Sequence, residues 1–221
     1  MIKKIQIELA VFTLLFVSLF LTQKIDEGIY SYFSQFDYGP GSKYLKDFFI
    51  GITSLGNSLW YFLIFFLIFA ISFLAKKLNL VSLKSYTNLK HFSIFSFFYL
   101  FLVGTITQII KHLIGRPRPN HTTFSRDFDF NFFTTDSSFH SFPSGHSSTI
   151  IAVILILSLV FPKLRGFFYI FGLLIAFSRV IVGAHFITDV VAGIFLAIIV
   201  FKVLNFFIKT KYPNISFNDL S

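Results

Sequence analysis

Two histidines and an aspartate carry most of the reactive potential of this chain. His185 and Asp189 stand four residues apart in "SRVIVGAHFITD". On a helix, that spacing puts both side chains on one face, within reach of each other. A carboxylate bonded to one imidazole nitrogen fixes the tautomer and leaves the other nitrogen free to attack. His146, in "SFPSGHSS", has no carboxylate near it in sequence. It suits a general acid for a leaving alkoxide and, afterwards, a base for water. Taken alone, it reads more simply as a spectator beside a Ser144 helix cap.

Three cations accompany these groups: Lys111 and Arg118 in "KHLIGRPRP", and Arg179 six residues ahead of His185. Three cations match the three non-bridging oxygens of a phosphoryl group, which guanidinium forks bind in bidentate fashion. Ser144 and Gly145 open a helix, so unpaired backbone N–H groups and the positive dipole end can face the same anion. Glycine there lets the backbone approach it closely. Each cation also has a structural reading. Lys111, Arg116 and Arg118 can snorkel to headgroups, and Arg179 can neutralise Asp189 as an ion pair. A two-metal centre needs several carboxylates, whereas Asp189 is the only acid in these segments. Asp127, Asp129 and Asp136 lie in a neighbouring loop, but the cations would repel a metal, so neither metal nor other cofactor is expected.

The elements that must position these residues are membrane helices. Of the 221 residues, 55% are hydrophobic and 13% charged, far from the balance of soluble domains. Crossing roughly 30 Å of hydrocarbon takes about 20 apolar residues. Six runs qualify: about 5–22, 57–75, 92–114, 145–161, 166–182 and 185–208. Lys3 and Lys4 precede the first run, which lacks a small-residue cleavage site and reads as a retained anchor. With both termini on one side, that side collects eleven basic and two acidic residues, 11 − 2 = +9, and the other side sums to zero. The positive-inside rule then makes the termini cytoplasmic and places all three reactive clusters on the outer face. The lysines are scattered over separate juxtamembrane loops rather than gathered in a stripe with interleaved aromatics, so the basic total does not point to nucleic acid. There is no cysteine, so neither disulfides nor thiolate metal sites are available. The abundance of Phe, Ile, Lys and Asn suggests a bacterial genome poor in G and C.

The whole chain, 1–221, reads as one membrane domain without internal repeats. Two outer loops stand out, about 23–56 and 115–143. In the first, Ser42 can cap a short amphipathic helix carrying Leu45, Phe48, Phe49 and Ile52 along one side, lying on the membrane surface as a lid, a spacer or a lipid entry. Ile25, Ile29 and Phe36 hint at another helix before it. In the second, prolines stop the third span and aromatics suit the headgroup zone.

In order and spacing, these residues resemble the type 2 phosphatidic acid phosphatase superfamily of membrane lipid phosphatases, whose relatives include vanadium-dependent haloperoxidases. Lys111, six residues, Arg118 and Pro119 fit its first motif, with Arg116 an auxiliary second Arg-Pro. Pro143, Ser144, Gly145 and His146 fit the second, and Ser178, Arg179, His185 and Asp189 the third. The resemblance covers 111–189 and implies an all-α integral membrane protein, a six-transmembrane-helix bundle of the vanadium haloperoxidase-like fold. It implies metal-independent hydrolysis through a phosphohistidine on His185, with His146 as proton donor and Lys111, Arg118, Ser144, Gly145 and Arg179 binding phosphate. The partners expected are the bilayer and a lipid phosphate, such as phosphatidylglycerol phosphate, undecaprenyl pyrophosphate, phosphatidic acid or lipid A. The expected place is a bacterial inner membrane with the site facing the periplasm. Phosphotransfer to a lipid or sugar hydroxyl uses the same histidine, and a transport or lipid-binding protein would use the cations alone. Halide chemistry gains nothing from six spans.

Overall fold

Polar residues at the ends of the apolar runs fix where each helix starts and stops. The computed structural model describes residues 23–35, 40–121 and 130–211, with isolated positions between 6 and 17. Its described helices are α1 (Gln23–Ser34), α2 (Pro40–Thr53), α3 (Ser58–Lys77), α4 (Leu83–Ile114), α5 (Gly145–Val160), α6 (Arg165–Ile181) and α7 (Ile187–Lys211). No strand occurs among the described residues. The side chain of Asn57 accepts from the Leu59 N–H and starts α3, while Lys76 and Lys77 close it against the negative end of its dipole. Ser82 and Ser144 cap α4 and α5 in the same way.

Four of these helices, α3, α4, α6 and α7, are long and apolar enough to cross a membrane, and α5 is a shorter apolar helix of 16 residues. The expected first span, 5–22, lies almost wholly outside the described residues. Three expectations shift. The third helix starts at Leu83 rather than near Phe92, so its first turns carry Lys84 and Lys90. It ends at Gly115, whose left-handed backbone (φ 57°) and lack of a Cβ leave room for the Asn131 carbonyl, so the prolines follow a stop already made. In the first loop, α2 begins at Pro40, which puts Ser42 inside its first turn rather than at its cap.

Helices α3 and α4 pack side by side, and α5 sits between α4, α6 and α7. The polarity is inverted relative to a soluble bundle. Ile71 and Ile170 are 64% and 73% exposed on the outside, while Ser96, Thr107, Ser148, Lys111, Arg116 and Asp189 are buried within. Buried polar groups in such a setting need partners. The buried Tyr99 hydroxyl finds one by donating to the Ala197 carbonyl at 2.7 Å, which ties α4 to α7. The second loop folds back on its own start: Asn131 N–H donates to the Gly115 carbonyl, Arg118 N–H to Ser138 and Ser141 N–H to Arg116. Asp136 caps the short turn Ser137–Phe139, so its carboxylate has a local structural use.

Candidate active site

The three clusters named from sequence converge at one end of the bundle, where α4 ends and α5 and α7 begin. The backbone N–H of Ser144 donates to the Asp189 carbonyl at 2.9 Å, which brings the start of α5 to the first turn of α7. The helices approach so closely there that a Cβ on Gly193 would stand 2.6 Å from the Ser144 carbonyl oxygen. Close small-residue packing of this kind is how membrane helices gain contact without a hydrophobic drive between them.

Lys111, in the last turn of α4, is buried, and its Nζ donates to the His140 carbonyl at 2.6 Å and more weakly to that of Ser141 at 3.4 Å. Its Cε would lie 3.9 Å from a Cβ on Gly145, so the lysine passes beside the opening of α5. Among the described residues, and apart from its own chain neighbours and helix backbone, nothing comes closer than 3.8 Å to that missing Cβ. The space beside Gly145 is therefore not consumed by packing. Arg118 is half-buried, its Nε donating to the Ser137 carbonyl at 3.1 Å. Arg179, near the end of α6, donates through Nη1 to Thr53 Oγ1 at 3.0 Å. Its buried Nε has no hydrogen-bond partner among the described residues. An unpaired buried guanidinium donor is costly unless an anion completes it.

His185 is not on the helix with Asp189, as the spacing suggests. It sits in the turn between α6 and α7, where Gly183 takes a left-handed φ of 70° and the His185 N–H donates to the Arg179 carbonyl at 3.2 Å. The pair still meets: His185 Nδ1 lies 3.6 Å from Asp189 Oδ2 and 3.5 Å from Ser141 Oγ. Burial, reinforced by the charges of Lys111 and Arg179 and only partly opposed by Asp189, lowers the His185 imidazole to about 3. It is thus neutral at physiological pH, with a lone pair to offer. Asp189 Oδ2 also accepts from Ser141 Oγ at 2.6 Å and from the Phe186 N–H at 2.9 Å.

Asp189 does not pair with Arg179. Its Oδ1 accepts from Arg116 Nη1 at 2.5 Å, and Arg116 is completely enclosed. The residue that spacing leaves auxiliary is thus the structural partner of the aspartate. Ser178 spends its hydroxyl on the Ile175 carbonyl at 2.6 Å, within its own helix, and Pro119 and Pro143 are buried wall residues. His146 is half-buried in the first turn of α5, and a Cβ on Gly56 would stand 2.8 Å from its Cβ. That contact, like the one between Thr53 and Arg179, comes from the end of α2 and the turn after it. Sequence reading missed Asp26, Thr53, Gly56, Ser141 and Thr188. Each is an ordinary polar or small residue without spacing to mark it, and only the fold brings it near.

Residues 93–212, more than half of the chain, match the PAP2 superfamily. A lipid A 1-phosphatase of Rhizobium johnstonii is 40% identical over 98 residues, covering 44% of this chain and 40% of its own length. Phosphatidylglycerophosphatase B of Bacillus subtilis is 34% identical over 122 residues, 49% of this chain and 55% of its own. The chain thus spans about half the length, or less, of these curated relatives. Over the whole bundle it is similar to the crystal structure of a transmembrane PAP2-type phosphatidylglycerolphosphate phosphatase from Bacillus subtilis, with a TM-score of 0.67, 24% identity, and coverage of 94% of this chain and 96% of the other. The matched region begins in α4 ahead of Lys111 and runs beyond Asp189 through α7, so the helices that bring the three clusters together are those of the family, and this chain belongs to the PAP2 superfamily.

Proposed function

We propose that this protein is a phosphatase of membrane lipid phosphates or pyrophosphates, working at the outer face of a bacterial inner membrane without a metal ion. The observation that carries the reading is the convergence of buried Lys111, half-buried Arg179, the start of α5 and the buried His185 and Asp189 pair. Together they provide a cationic cradle and a neutral nucleophile at one place.

The geometry fits a two-step displacement. Lys111, Arg118, Arg179 and the opening of α5 at Ser144 and Gly145, where the Gly145 N–H rather than the committed Ser144 N–H faces the anion, hold the phosphoryl oxygens and stabilise the charge that builds on them. His185 Nε2 attacks phosphorus in line, since Nδ1 is turned to Asp189 and Ser141. The bond from phosphorus to the leaving oxygen breaks as that to nitrogen forms, and His146 gives its proton to the departing alkoxide. Water, deprotonated by His146, then cleaves the phosphohistidine and restores both histidines. A site at the membrane edge leaves the tail in lipid, so only the headgroup needs positioning.

The test uses purified full-length protein in mixed micelles of detergent and a lipid phosphate. His185→Ala is expected to lose at least about 10³-fold in phosphate release, and chelation of divalent ions to leave the wild-type rate unchanged. Wild-type turnover in the His185→Ala protein would end the proposal. The relatives named above act on lipid A and on phosphatidylglycerophosphate, so a panel including both lipids, phosphatidic acid and undecaprenyl pyrophosphate identifies the headgroup. Product analysis with added hydroxyl acceptors separates hydrolysis from phosphotransfer.

A further inference from the structure

Asp26 belongs to the N-terminal loop that carries no motif, yet its carboxylate is enclosed among groups from the other half of the chain. Its Oδ2 accepts from Arg116 Nη2 at 2.7 Å and from Thr188 Oγ1 at 2.6 Å, and its Oδ1 from the Thr188 backbone N–H at 3.2 Å. Arg116 turns its other terminal nitrogen to Asp189 Oδ1 and, at 2.7 Å, to Thr188 Oγ1. Its guanidinium carbon stands 4.4 Å from the centre of the Phe186 ring. One guanidinium is thus forked between two carboxylates, from α1 and α7. We propose that Asp26 and Arg116 are positioning residues that set the orientation of the Asp189 carboxylate and, through it, of the His185 ring. The inference rests on the reading of His185 as the nucleophile.

Four observations support it. The two carboxylate oxygens of Asp189 have separate tasks: Oδ1 is committed to Arg116, which leaves Oδ2 facing Ser141, the Phe186 N–H and His185 Nδ1. Rotation of the carboxylate would break the Arg116 bond, so the fork locks the oxygen that the imidazole sees. Asp26 acts twice on the same few residues. It holds Arg116, and by accepting from the Thr188 N–H it satisfies an otherwise orphaned donor in the first turn of α7, one residue before Asp189. It therefore fixes both the backbone and the side-chain partner of Asp189. Finally, two carboxylates and a guanidinium enclosed together are a poor device for stability compared with apolar packing. What a forked guanidinium supplies is direction, which one ammonium cannot reproduce. Thr188 completes the arrangement, accepting from Arg116 while donating to Asp26.

The experiment compares kcat and KM for phosphate release from phosphatidic acid in mixed micelles, using full-length wild type, Asp26→Asn, Arg116→Lys, Thr188→Val and His185→Ala, each assayed well below its thermal midpoint. Asp26→Asn keeps the shape and removes the charge. Arg116→Lys keeps the charge and removes the fork. Both are expected to lower kcat by about tenfold or more while KM stays within about threefold, because substrate still meets Lys111, Arg118 and Arg179. Thr188→Val, which deletes a single hydroxyl, is expected to lower kcat in the same sense by a smaller factor, and it carries the test should the charge variants fail to fold. Wild-type kcat in folded Asp26→Asn, or in Thr188→Val if that is the variant available, overturns the inference, as does a loss confined to KM. His185→Ala separates the two levels of argument. Full activity there defeats the nucleophile itself, whereas an inactive His185→Ala beside a wild-type Asp26→Asn defeats only the positioning role.

Discussion

Arg179 and Arg116 show how alike two arginines look in sequence and how differently they serve. Arg179 donates through one terminal nitrogen to Thr53 Oγ1, whereas Arg116 bridges two carboxylates with both of its own. Arg179→Lys is expected to lower kcat/KM by about 10²-fold, since an ammonium cannot present two parallel donors to a phosphoryl group; steady-state kinetics checks this. His185 also makes a prediction about stability. Burial holds its imidazole at about 3 in the folded protein, against about 6.5 in an unfolded chain. Between those values the unfolded chain binds the extra proton, so the stability contributed by a neutral His185 is complete above about pH 6.5 and is lost as pH falls toward 3. The thermal midpoint in detergent should therefore fall with acidification, and His185→Asn should flatten that fall below pH 6.5 while leaving the neutral range less affected. A midpoint that tracks pH identically in both proteins would contradict the buried, neutral assignment. The motif spacings singled out both histidines and the three cations as candidates. Spacing assigned the motif position to Arg118 and left Arg116 auxiliary, and only the path of the loop shows that Arg116 turns inward to Asp189.

At the level of elements, the site depends on how closely α5 approaches α7 and on what the end of α2 covers. A Cβ on Gly193 would meet the Ser144 carbonyl, a backbone atom that cannot rotate away. Gly193→Ala should push the start of α5 off α7, lowering the thermal midpoint by several degrees and activity with it, a destabilisation of about 1–3 kcal/mol. Gly145→Ala is the contrast, because its Cβ would find only ordinary contacts with Thr107 and Lys111. The expected outcome is a wild-type midpoint with a loss in kcat/KM, since the space filled is the proposed phosphate cradle; unfolding curves and kinetics on the two glycine variants separate packing from binding. Apolar length and polar caps made most helices legible, within a few residues at their ends. The errors are physical. Leu83 to His91 form helix despite their polarity because Ser82 caps the start. Ser42 looks like a cap, yet α2 begins two residues earlier.

For the whole molecule, the decisive quantity is the asymmetry of charge. All of the net +9 falls on one side if six spans are threaded with both termini together, which places the site on the opposite face. Reporter fusions in the 115–143 loop are expected to show that loop outside the cytoplasm, and a cytoplasmic result would overturn the outward-facing reading. Sequence by itself determined the membrane setting and the family and named the candidate reactive side chains, because apolar length and fixed spacings are local or additive properties of a chain. The tertiary structure alone decided what surrounds those side chains. It placed Asp26 against Arg116 across 90 residues, Thr53 against Arg179 across 126, and Ser144 under Gly193. Such contacts depend on helix crossing and loop path, which arise from the packing of the entire bundle, and a buried carboxylate leaves no periodic trace in the sequence to announce where it points.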